Sequence, residues 1–393
     1  MLETIFFLSL CYRTFIDWNR SRIISPLSSI SLVCILLFHI PNLYTGNVIS
    51  SPLLSGTLTL IFLNIFNPKF FRKPFKIKII SPNKFILFFN ILFVIHLLIS
   101  LYMALTFILE YGFLGALVRN RLDDYLSNIN SSSLLNSIWF LTSFFFYYRL
   151  SLLLNSKVKV AIIVIFTYII TIIYFANTRL SIFLPFIPLL GWYFFVNKYK
   201  IKKFSSFVII SFIILPFFLI YSNAARQGIE ISDVNYQMSD FLIYQFDYNK
   251  YLNELELYYE KEELEYGYGW LLGSFVNFIP RSIYKDKPVT SFSNRLTNNI
   301  TGAEASSNNP VRTYTIFGTG YSQFGFIGTI IETMFYVLIF SRLYYTSLSR
   351  QIPYFAFFIS FYALLYFRGE TPFVQLFFLW FVLLFIEKRI SND

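Results

Sequence analysis

The chain has 393 residues, of which 56% are hydrophobic and 13% are charged, and its mean hydropathy is +0.59. Soluble chains carry about 25% charged residues, because their surfaces must be solvated. The 50 Phe and 29 Tyr residues add more aromatic surface than one globular core could bury. This composition excludes a soluble multidomain protein and predicts a polytopic membrane protein whose main solvent is lipid.

The net charge of +11 does not indicate a nucleic-acid-binding protein. The basic residues lie in short clusters between apolar runs, as topology determinants do. The two cysteines, Cys11 and Cys34, both lie near the N-terminus and offer no disulfide framework for an outer face. The first residues lack a basic region followed by a small-residue cleavage site, so no removable signal peptide is expected.

Ten apolar runs are long enough to cross about 30 Å of hydrocarbon. In chain order they are 23–40, 44–66, 85–109, 134–154, 158–176, 180–196, 204–221, 316–340, 353–367 and 372–387. A shorter run from Ile5 to Tyr12 is either the remnant of an eleventh span or an interfacial segment. The predicted fold is therefore all-α, a polytopic integral membrane protein with 10–11 transmembrane helices.

The basic clusters predict the orientation of these spans. Residues 67–84 include six Lys or Arg and no acid, and residues 197–203 include four Lys. Cytoplasmic loops are enriched in Lys and Arg, so alternation from these clusters predicts a cytoplasmic C-terminus and a large outer loop. The chain then divides into an N-terminal transmembrane bundle (1–221), the large outer loop (222–315) and C-terminal transmembrane helices (316–393).

The large outer loop is expected to carry function, because loops of this length seldom serve as connectors alone. Its first half predicts a helix within 234–264, where apolar and aromatic residues recur at three- and four-residue spacing opposite acidic residues. Its second half contains an apolar stretch at 270–279 and a Ser/Thr/Asn-rich stretch at 288–309, which we expect to be irregular.

The predicted outer face is rich in arginine. Predicted cytoplasmic positions hold 12 Lys and 8 Arg, whereas predicted outer positions hold 4 Lys and 8 Arg. Arg binds phosphate oxygens bidentately and keeps its charge when partly desolvated. Several of these arginines adjoin span boundaries, so they should converge at the depth of a lipid-linked pyrophosphate; the alternative for each is snorkelling to lipid headgroups. The predicted catalytic residues are Arg179, Arg226, Arg281 and Arg312.

The predicted substrate-binding residues accompany these arginines on the same face. The aromatic rings of the loop offer flat apolar faces to a ligand, and further cations lie beside them. The set is Lys287, Arg295, Arg368, Tyr314, Tyr248 and Trp270.

The histidines and the Asp123–Asp124 pair give weaker signals. His39 and His96 lie in apolar runs, where a packing role is favoured over chemistry. The loop has no His, so neither a zinc site nor a His-based transfer is expected there. Asp123 and Asp124 resemble a divalent-metal pair, but Arg121 beside them favours a solvated turn. No metal site is predicted.

The span at 316–340 contains an acid and a series of glycines. Glu332 should face protein or a cavity, because a carboxylate is costly in lipid. The alternative to a functional role is that it caps a polar cluster near Arg342 or Thr329. The glycines indicate close helix packing rather than a nucleotide-binding loop, since no strand precedes them. They are Gly318, Gly320, Gly325 and Gly328.

Three segments resemble one bacterial family. The run FIPRSIYKDKP at 278–288 resembles the Pro-Arg…Lys-Pro segment of oligosaccharide repeat-unit polymerases of the O-antigen (Wzy) type. The stretch 312–328 is similar to that family's passage from its long loop into the next span, and the Asn-Thr-Arg turn at 177–179 lies where the family places an arginine between two spans. The layout of spans around one large loop is similar as well.

This resemblance implies a membrane glycosyltransferase with a GT-C-like fold in the bacterial inner membrane, with its large loop in the periplasm. Such enzymes transfer a growing glycan from undecaprenyl pyrophosphate to a sugar hydroxyl of the next lipid-linked repeat unit, building O-antigen or a related surface polysaccharide. No cofactor or metal is implied. The implied partners are the lipid-linked donor and acceptor glycans, the lipid bilayer and a polysaccharide chain-length regulator. The general base stays open among Asp240, Asp247, Glu304 and Glu370.

Three other functions are alternatives to the polymerase. An O-antigen ligase of similar architecture carries a functional His in its large loop, and this loop has none. A lipid-linked oligosaccharide flippase or other transporter tends to show internal repeats and midplane charges, and the sequence shows neither pattern. A metal-dependent membrane glycosyltransferase needs acidic ligands in its first outer loop, which here is only the turn at 41–43.

Overall fold

The computed structural model describes residues 2–21, 25–46, 48–66, 82–113, 133–175, 184–196, 248–270, 284, 292–302, 314–349 and 353–368. Within these ranges the regular structure is helical throughout. We number the helices in chain order as α1 (Leu2–Ser21), α2 (Pro26–Thr45), α3 (Ser51–Phe66), α4 (Pro82–Tyr111), α5 (Ser133–Ser156), α6 (Val158–Phe175), α7 (Phe186–Val196), α8 (Tyr248–Tyr259), α9 (Phe292–Thr301), α10 (Thr315–Ser349) and α11 (Pro353–Arg368).

The all-α prediction is confirmed for the described part of the chain, and so is its membrane-like character. Among those residues, three helices are long and apolar enough to cross a membrane, namely Pro26–Thr45, Asn90–Glu110 and Thr315–Ser349. Four shorter apolar helices are Ser51–Phe66, Phe145–Leu154, Val158–Ile172 and Pro353–Ala363. The predicted spans 204–221 and 372–387 lie outside the described residues. The full count of 10–11 spans and the three-part division of the chain stay predictions.

Helices α1, α2 and α3 form one packed group that is tied by polar side chains. The His39 Nε2 atom lies 2.9 Å from Thr57 Oγ1, and Asn64 Nδ2 donates to Ser31 Oγ at 3.0 Å. These two pairs show that α2 and α3 run antiparallel. Because a buried polar group without a partner is costly in an apolar interior, the pairs also fix the register of the two helices.

Helix α1 is longer than the run from Ile5 to Tyr12 that the sequence indicated, since it continues to Ser21. Arg13 and Asp17 lie within it, yet their side chains are only 1% and 2% exposed because they form an ion pair. Arg13 also donates to Tyr345 Oη at 3.1 Å, and Asp17 accepts from Ser28 Oγ at 2.8 Å. This buried pair therefore joins α1 to α2 and α10, an arrangement that neither sequence interpretation anticipated.

Helices α4, α5 and α6 form a second group, in which His96 is buried. Its Nε2 atom lies 2.6 Å from Tyr168 Oη and its Nδ1 atom 3.0 Å from Thr142 Oγ1. Both histidines thus have the packing role that the sequence favoured. Helix α11 packs against α2, α7 and α10, and connects the two groups at the centre of the bundle.

Helix α10 reverses direction at Phe324 and Gly325, whose backbone angles are not helical. Thr319 Oγ1 donates to Glu332 Oε1 at 2.6 Å, and Thr329 Oγ1 donates to Phe317 O at 3.1 Å. In a straight helix, residues 12 or 13 positions apart would be about 18–20 Å from each other. Residues 315–323 therefore form a short arm that folds back along the long arm, 326–349. The apolar run predicted at 316–340 is thus divided between two arms, of which the long arm is about 36 Å long, enough to cross a membrane.

Glycine lets the two arms meet. A β-carbon on Gly320 would lie 2.7 Å from Gly328 O and 2.7 Å from Thr329 Cα, so only hydrogen fits there. Gly325 has a φ of 60°, in the left-handed region that glycine adopts without strain. The close-packing interpretation is confirmed for Gly320 and Gly328, which meet across the hairpin, and for Gly318, which packs against Leu252 and Leu255 of α8.

Candidate functional site

The ten predicted site residues are only partly within the described ranges. Those that lie outside are Arg179, Arg226, Arg281, Arg312 and Lys287. Their convergence on a pyrophosphate stays a prediction. Arg368 is the last residue of α11, but its side chain is not among those that the structure describes. The remaining four, Tyr248, Trp270, Arg295 and Tyr314, lie on α8, on the segment after it, on α9 and just before α10.

Helix α8 lies across the C-terminal end of α2 and the N-terminal end of α3. Asn249 donates to Asn42 Oδ1 at 2.8 Å and accepts from Ser50 Oγ at 3.0 Å. Glu256 accepts from the backbone N–H of Ser51 at 2.9 Å and from its hydroxyl. The amphipathic helix predicted at 234–264 is confirmed for Tyr248–Tyr259, where it ends five residues earlier than predicted, and these bonds anchor it to the membrane-like helices. The prediction of an irregular stretch at 288–309 is wrong for Phe292–Thr301, which forms α9.

Two predicted substrate-binding residues, Tyr248 and Tyr314, belong to the core. Tyr248 is buried and its ring lies 5.9 Å from that of Phe38. The Phe38 ring is in turn 5.7 Å from that of Phe317 on the short arm of α10. Tyr314, which precedes that arm, is fully buried. Neither ring presents a surface to a ligand in this structure.

The segment after α8 closes the end of the short arm. The backbone N–H groups of Glu265 and Tyr266 donate to the carbonyls of Ser322 and Gln323 at 2.8 and 3.0 Å. The N–H of Gly269 donates to Gln323 Oε1 at 3.1 Å. Because the last carbonyls of a helix have no intrahelical partner, these bonds explain why the short arm can end here.

A polar cluster forms at this junction around the Glu265 carboxylate. Glu265 is ion-paired with Arg295 of α9, accepts from Gln323 Nε2 at 2.7 Å and accepts from Tyr259 Oη at 3.3 Å. The Arg295 guanidinium lies over the Tyr268 ring, 5.9 Å from its centroid. The Arg295 and Glu265 side chains remain 20% and 15% exposed, so a ligand can reach them. We call these five residues the Glu265 cluster.

Electrostatics within the Glu265 cluster keep its tyrosine neutral. Burial, together with the neighbouring Glu265 carboxylate, raises the pKa of the Tyr259 phenol above its ordinary value. The phenol is thus a stable hydrogen-bond donor to Glu265 at any physiological pH. Arg295 supplies the positive charge of the group.

A second carboxylate lies between the arms of α10. Glu332 is 1% exposed and accepts from Thr319 Oγ1 at 2.6 Å and from the Trp270 indole N–H at 3.1 Å. Glu332 therefore faces protein, as expected, and Thr329 lies one helical turn from it on the same arm, whereas the expected proximity to Arg342 is wrong. Arg342 is about 15 Å farther along the same helix, and the Thr329 hydroxyl is bonded to another residue.

The two carboxylates are held by one helix face. Thr319 bonds Glu332 and Gln323 bonds Glu265, and residues four positions apart lie above one another on a helix. The short arm therefore aligns a buried carboxylate and a partly exposed one. Sequence reasoning missed Glu265 and Gln323, because the first lies in an acidic run typical of solvated surface and the second in a Gly-rich stretch.

The carboxylates of this region are compensated by protein donors. Among the described residues, no group of three or more His, Cys, Asp or Glu is arranged to hold a metal ion.

No family model, no curated protein and no solved structure matches this chain. The resemblance to O-antigen polymerases therefore depends on the chain's own segments and layout.

Proposed function

We propose that this protein is an integral-membrane glycosyltransferase of the bacterial inner membrane. It polymerises undecaprenyl-pyrophosphate-linked repeat units into O-antigen or a related surface polysaccharide at the periplasmic face. The observation that carries the proposal is the Glu265 cluster, which sets a cation, a carboxylate and aromatic rings against the end of an apolar helical bundle. A lipid-linked glycan has the matching parts, namely an apolar tail, an anionic pyrophosphate and sugar rings.

In the proposed reaction, an acceptor hydroxyl oxygen bonds to the anomeric carbon of the donor. The bond from that carbon to the pyrophosphate oxygen breaks, and undecaprenyl pyrophosphate leaves with the electron pair. The hydroxyl proton passes to a carboxylate base, for which Asp240, Asp247, Glu304 and Glu370 stay the candidates. Glu265 is not assigned this role, because it is already ion-paired.

The leaving pyrophosphate gains negative charge as its bond breaks. Preorganised cations at that position lower the barrier because their charge is already oriented before the reaction. We assign this task to the four predicted catalytic arginines and not to a metal. Activity of the purified protein should then survive chelation, and a loss that magnesium restores would contradict the assignment.

A flippase is the second candidate, and one observation favours it. Transporters often bind their substrates at helices that are broken within the membrane region, and α10 reverses direction at Phe324 and Gly325. The same lipid-linked substrate would serve both proteins. The two functions differ in whether a glycosidic bond is formed.

A deletion strain separates these functions. Loss of a polymerase leaves surface glycan with a single repeat unit, loss of a flippase leaves none, and loss of a ligase leaves polymer that is not joined to its lipid A core. We expect the single-unit phenotype. The purified protein in liposomes should also convert lipid-linked repeat units into a ladder of lengths, and retention of single units would contradict the proposal.

A further inference from the structure

Tyr266 combines a strained backbone with an exposed ring. Its φ of 46° lies in the left-handed region that non-glycine residues seldom adopt, and its side chain is 66% exposed. Such a conformation costs on the order of 1 kcal/mol or more and persists only where neighbouring bonds impose it. Here the N–H of Tyr266 is bonded to Gln323 O, and the N–H of Tyr268 to Glu265 O at 2.9 Å.

Burial of the Tyr266 side chain does not offset this strain, because Tyr266 is exposed. Strained residues of this kind cluster at ligand contacts, where the conformation presents a side chain to its ligand. Here the positive φ values of Tyr266 and Gly267 and the bond from Tyr268 N–H to Glu265 O form a tight turn that presents the Tyr266 ring at the surface.

The exposed Phe324 ring adjoins Tyr266, and Tyr268 is a further exposed ring two residues along the chain. The Tyr266 ring centroid lies 6.3 Å from that of Phe324 at the tip of the α10 hairpin, and the Phe324 ring lies 5.5 Å from Trp270. Tyr268 is 48% exposed and lies beneath Arg295. We call Tyr266, Tyr268 and Phe324 the aromatic rim, because they lie next to the partly exposed Glu265–Arg295 pair.

We propose that the aromatic rim is a carbohydrate-binding subsite that holds a sugar ring of the glycan substrate; this rests on the proposed function and locates its sugar contacts. A pyranose ring presents C–H faces that pack on aromatic rings, and hydroxyl edges that bond to charged groups. The rim provides the first surface, and Glu265 and Arg295 provide an acceptor and donors. A polyprenyl tail would need only the apolar part, so the ion pair favours a sugar.

Binding of oligosaccharide to the full-length purified protein tests the subsite. The probe is the oligosaccharide mixture that mild acid releases from the strain's surface polysaccharide, and saturation-transfer NMR measures its dissociation constant. Tyr266→Ala and Phe324→Ala should each weaken binding about tenfold, the upper range of one aromatic contact. Tyr266→Phe should bind within about threefold of wild type, because the ring remains. Tyr44→Ala is the matched control, since Tyr44 is an exposed tyrosine on α2.

A glycine variant separates binding from folding. Tyr266→Gly removes the ring and accommodates the positive φ without strain, so it should unfold at or above the wild-type temperature while binding oligosaccharide weakly. Wild-type affinity in Tyr266→Gly and Tyr266→Ala would overturn the subsite. So would weakened binding of undecaprenyl phosphate in nanodiscs with unchanged oligosaccharide binding, because the rim would then contact the lipid.

The subsite and the proposed function can fail separately. If the variants lose oligosaccharide binding but the wild-type protein never elongates lipid-linked repeat units, the subsite stands and polymerisation is wrong. If the wild-type protein elongates them and the rim variants produce the same ladder with the same affinity, polymerisation stands and the subsite is wrong.

Discussion

The Trp270 indole N–H donates to Glu332 Oε2 at 3.1 Å, and this bond connects the segment after α8 to the long arm of α10. Trp270 also lies against Phe324 at the hairpin tip. The bond therefore sets the position of the segment that carries Tyr266 and Tyr268. The buried Glu332 carboxylate thus helps to hold the exposed segment that carries Tyr266 and Tyr268.

The first prediction concerns the charge of Glu332. In Glu332→Gln the amide oxygen can accept from Trp270, and the amide N–H can donate to Thr319, whose hydroxyl also lies 3.2 Å from Ile316 O. Glu332→Leu removes the acceptor that the Trp270 indole N–H and the buried Thr319 hydroxyl share and should cost about 1–3 kcal/mol. Thermal unfolding in detergent should show the Gln variant near wild type and the Leu variant clearly lower. Equal melting temperatures would show that the bond contributes little, and loss in both variants would point to a need for the charge.

The second prediction concerns the contact between the hairpin arms. Gly320→Ala places a β-carbon against the backbone at Gly328 and should destabilise the protein by roughly 1–3 kcal/mol, the usual range for overpacking. Gly302→Asn is the control, because Gly302 faces open space and Asn tolerates its φ of 67°. Thermal unfolding of both variants measures the difference. If the alanine variant is as stable as the asparagine variant, the arms are not in backbone contact.

The third prediction concerns the buried pair in α1. Arg13→Met or Asp17→Asn alone leaves the partner without its counter-charge and should cost about 3–5 kcal/mol. The double variant removes both charges and should be less destabilised than the sum of the single variants, which a double-mutant cycle measures. Strict additivity of the two changes would show that the residues do not interact.

The fourth prediction concerns the arginines that lie outside the described residues. Arg179, Arg226, Arg281 and Arg312 should each be needed for polymerisation, and Lys should replace them poorly, because an ammonium lacks the planar fork that binds two phosphate oxygens. Each Lys variant should lower the rate roughly a hundredfold, as loss of a donor to a developing anion typically does. The glycan ladder of a deletion strain carrying each variant at matched abundance is the measurement. Arg72→Lys and Arg350→Lys are the controls, and four normal ladders would leave snorkelling as the explanation.

The fifth prediction concerns topology. Reporter fusions at Lys76 and Lys200 should read cytoplasmic, because their basic loops resist translocation. Fusions at Asp123 and Asn253 should read periplasmic. A cytoplasmic reading at Asn253 would place the Glu265 cluster on the wrong face for the proposed substrate.

The sequence predicts well what depends on hydropathy alone. The apolar run at 158–176 corresponds to α6, Val158–Phe175, and the run at 85–109 lies within α4. Hydropathy does not report direction, so the reversal at Phe324 and Gly325 was not predicted, although both arms are apolar. Glu265 was not predicted either, because its role depends on Arg295 and Gln323, which are 30 and 58 residues away.

The reversal of α10 has a consequence for how the chain is assembled during synthesis. An insertion machinery would meet residues 315–349 as one apolar stretch of about 52 Å, far longer than the hydrocarbon layer. The short arm can fold back only when donors are ready for its terminal carbonyls, and those donors are the N–H groups of Glu265 and Tyr266. Both residues leave the ribosome before the hairpin does. The segment that carries Glu265 and Tyr266 is therefore synthesised before the short arm that closes onto it.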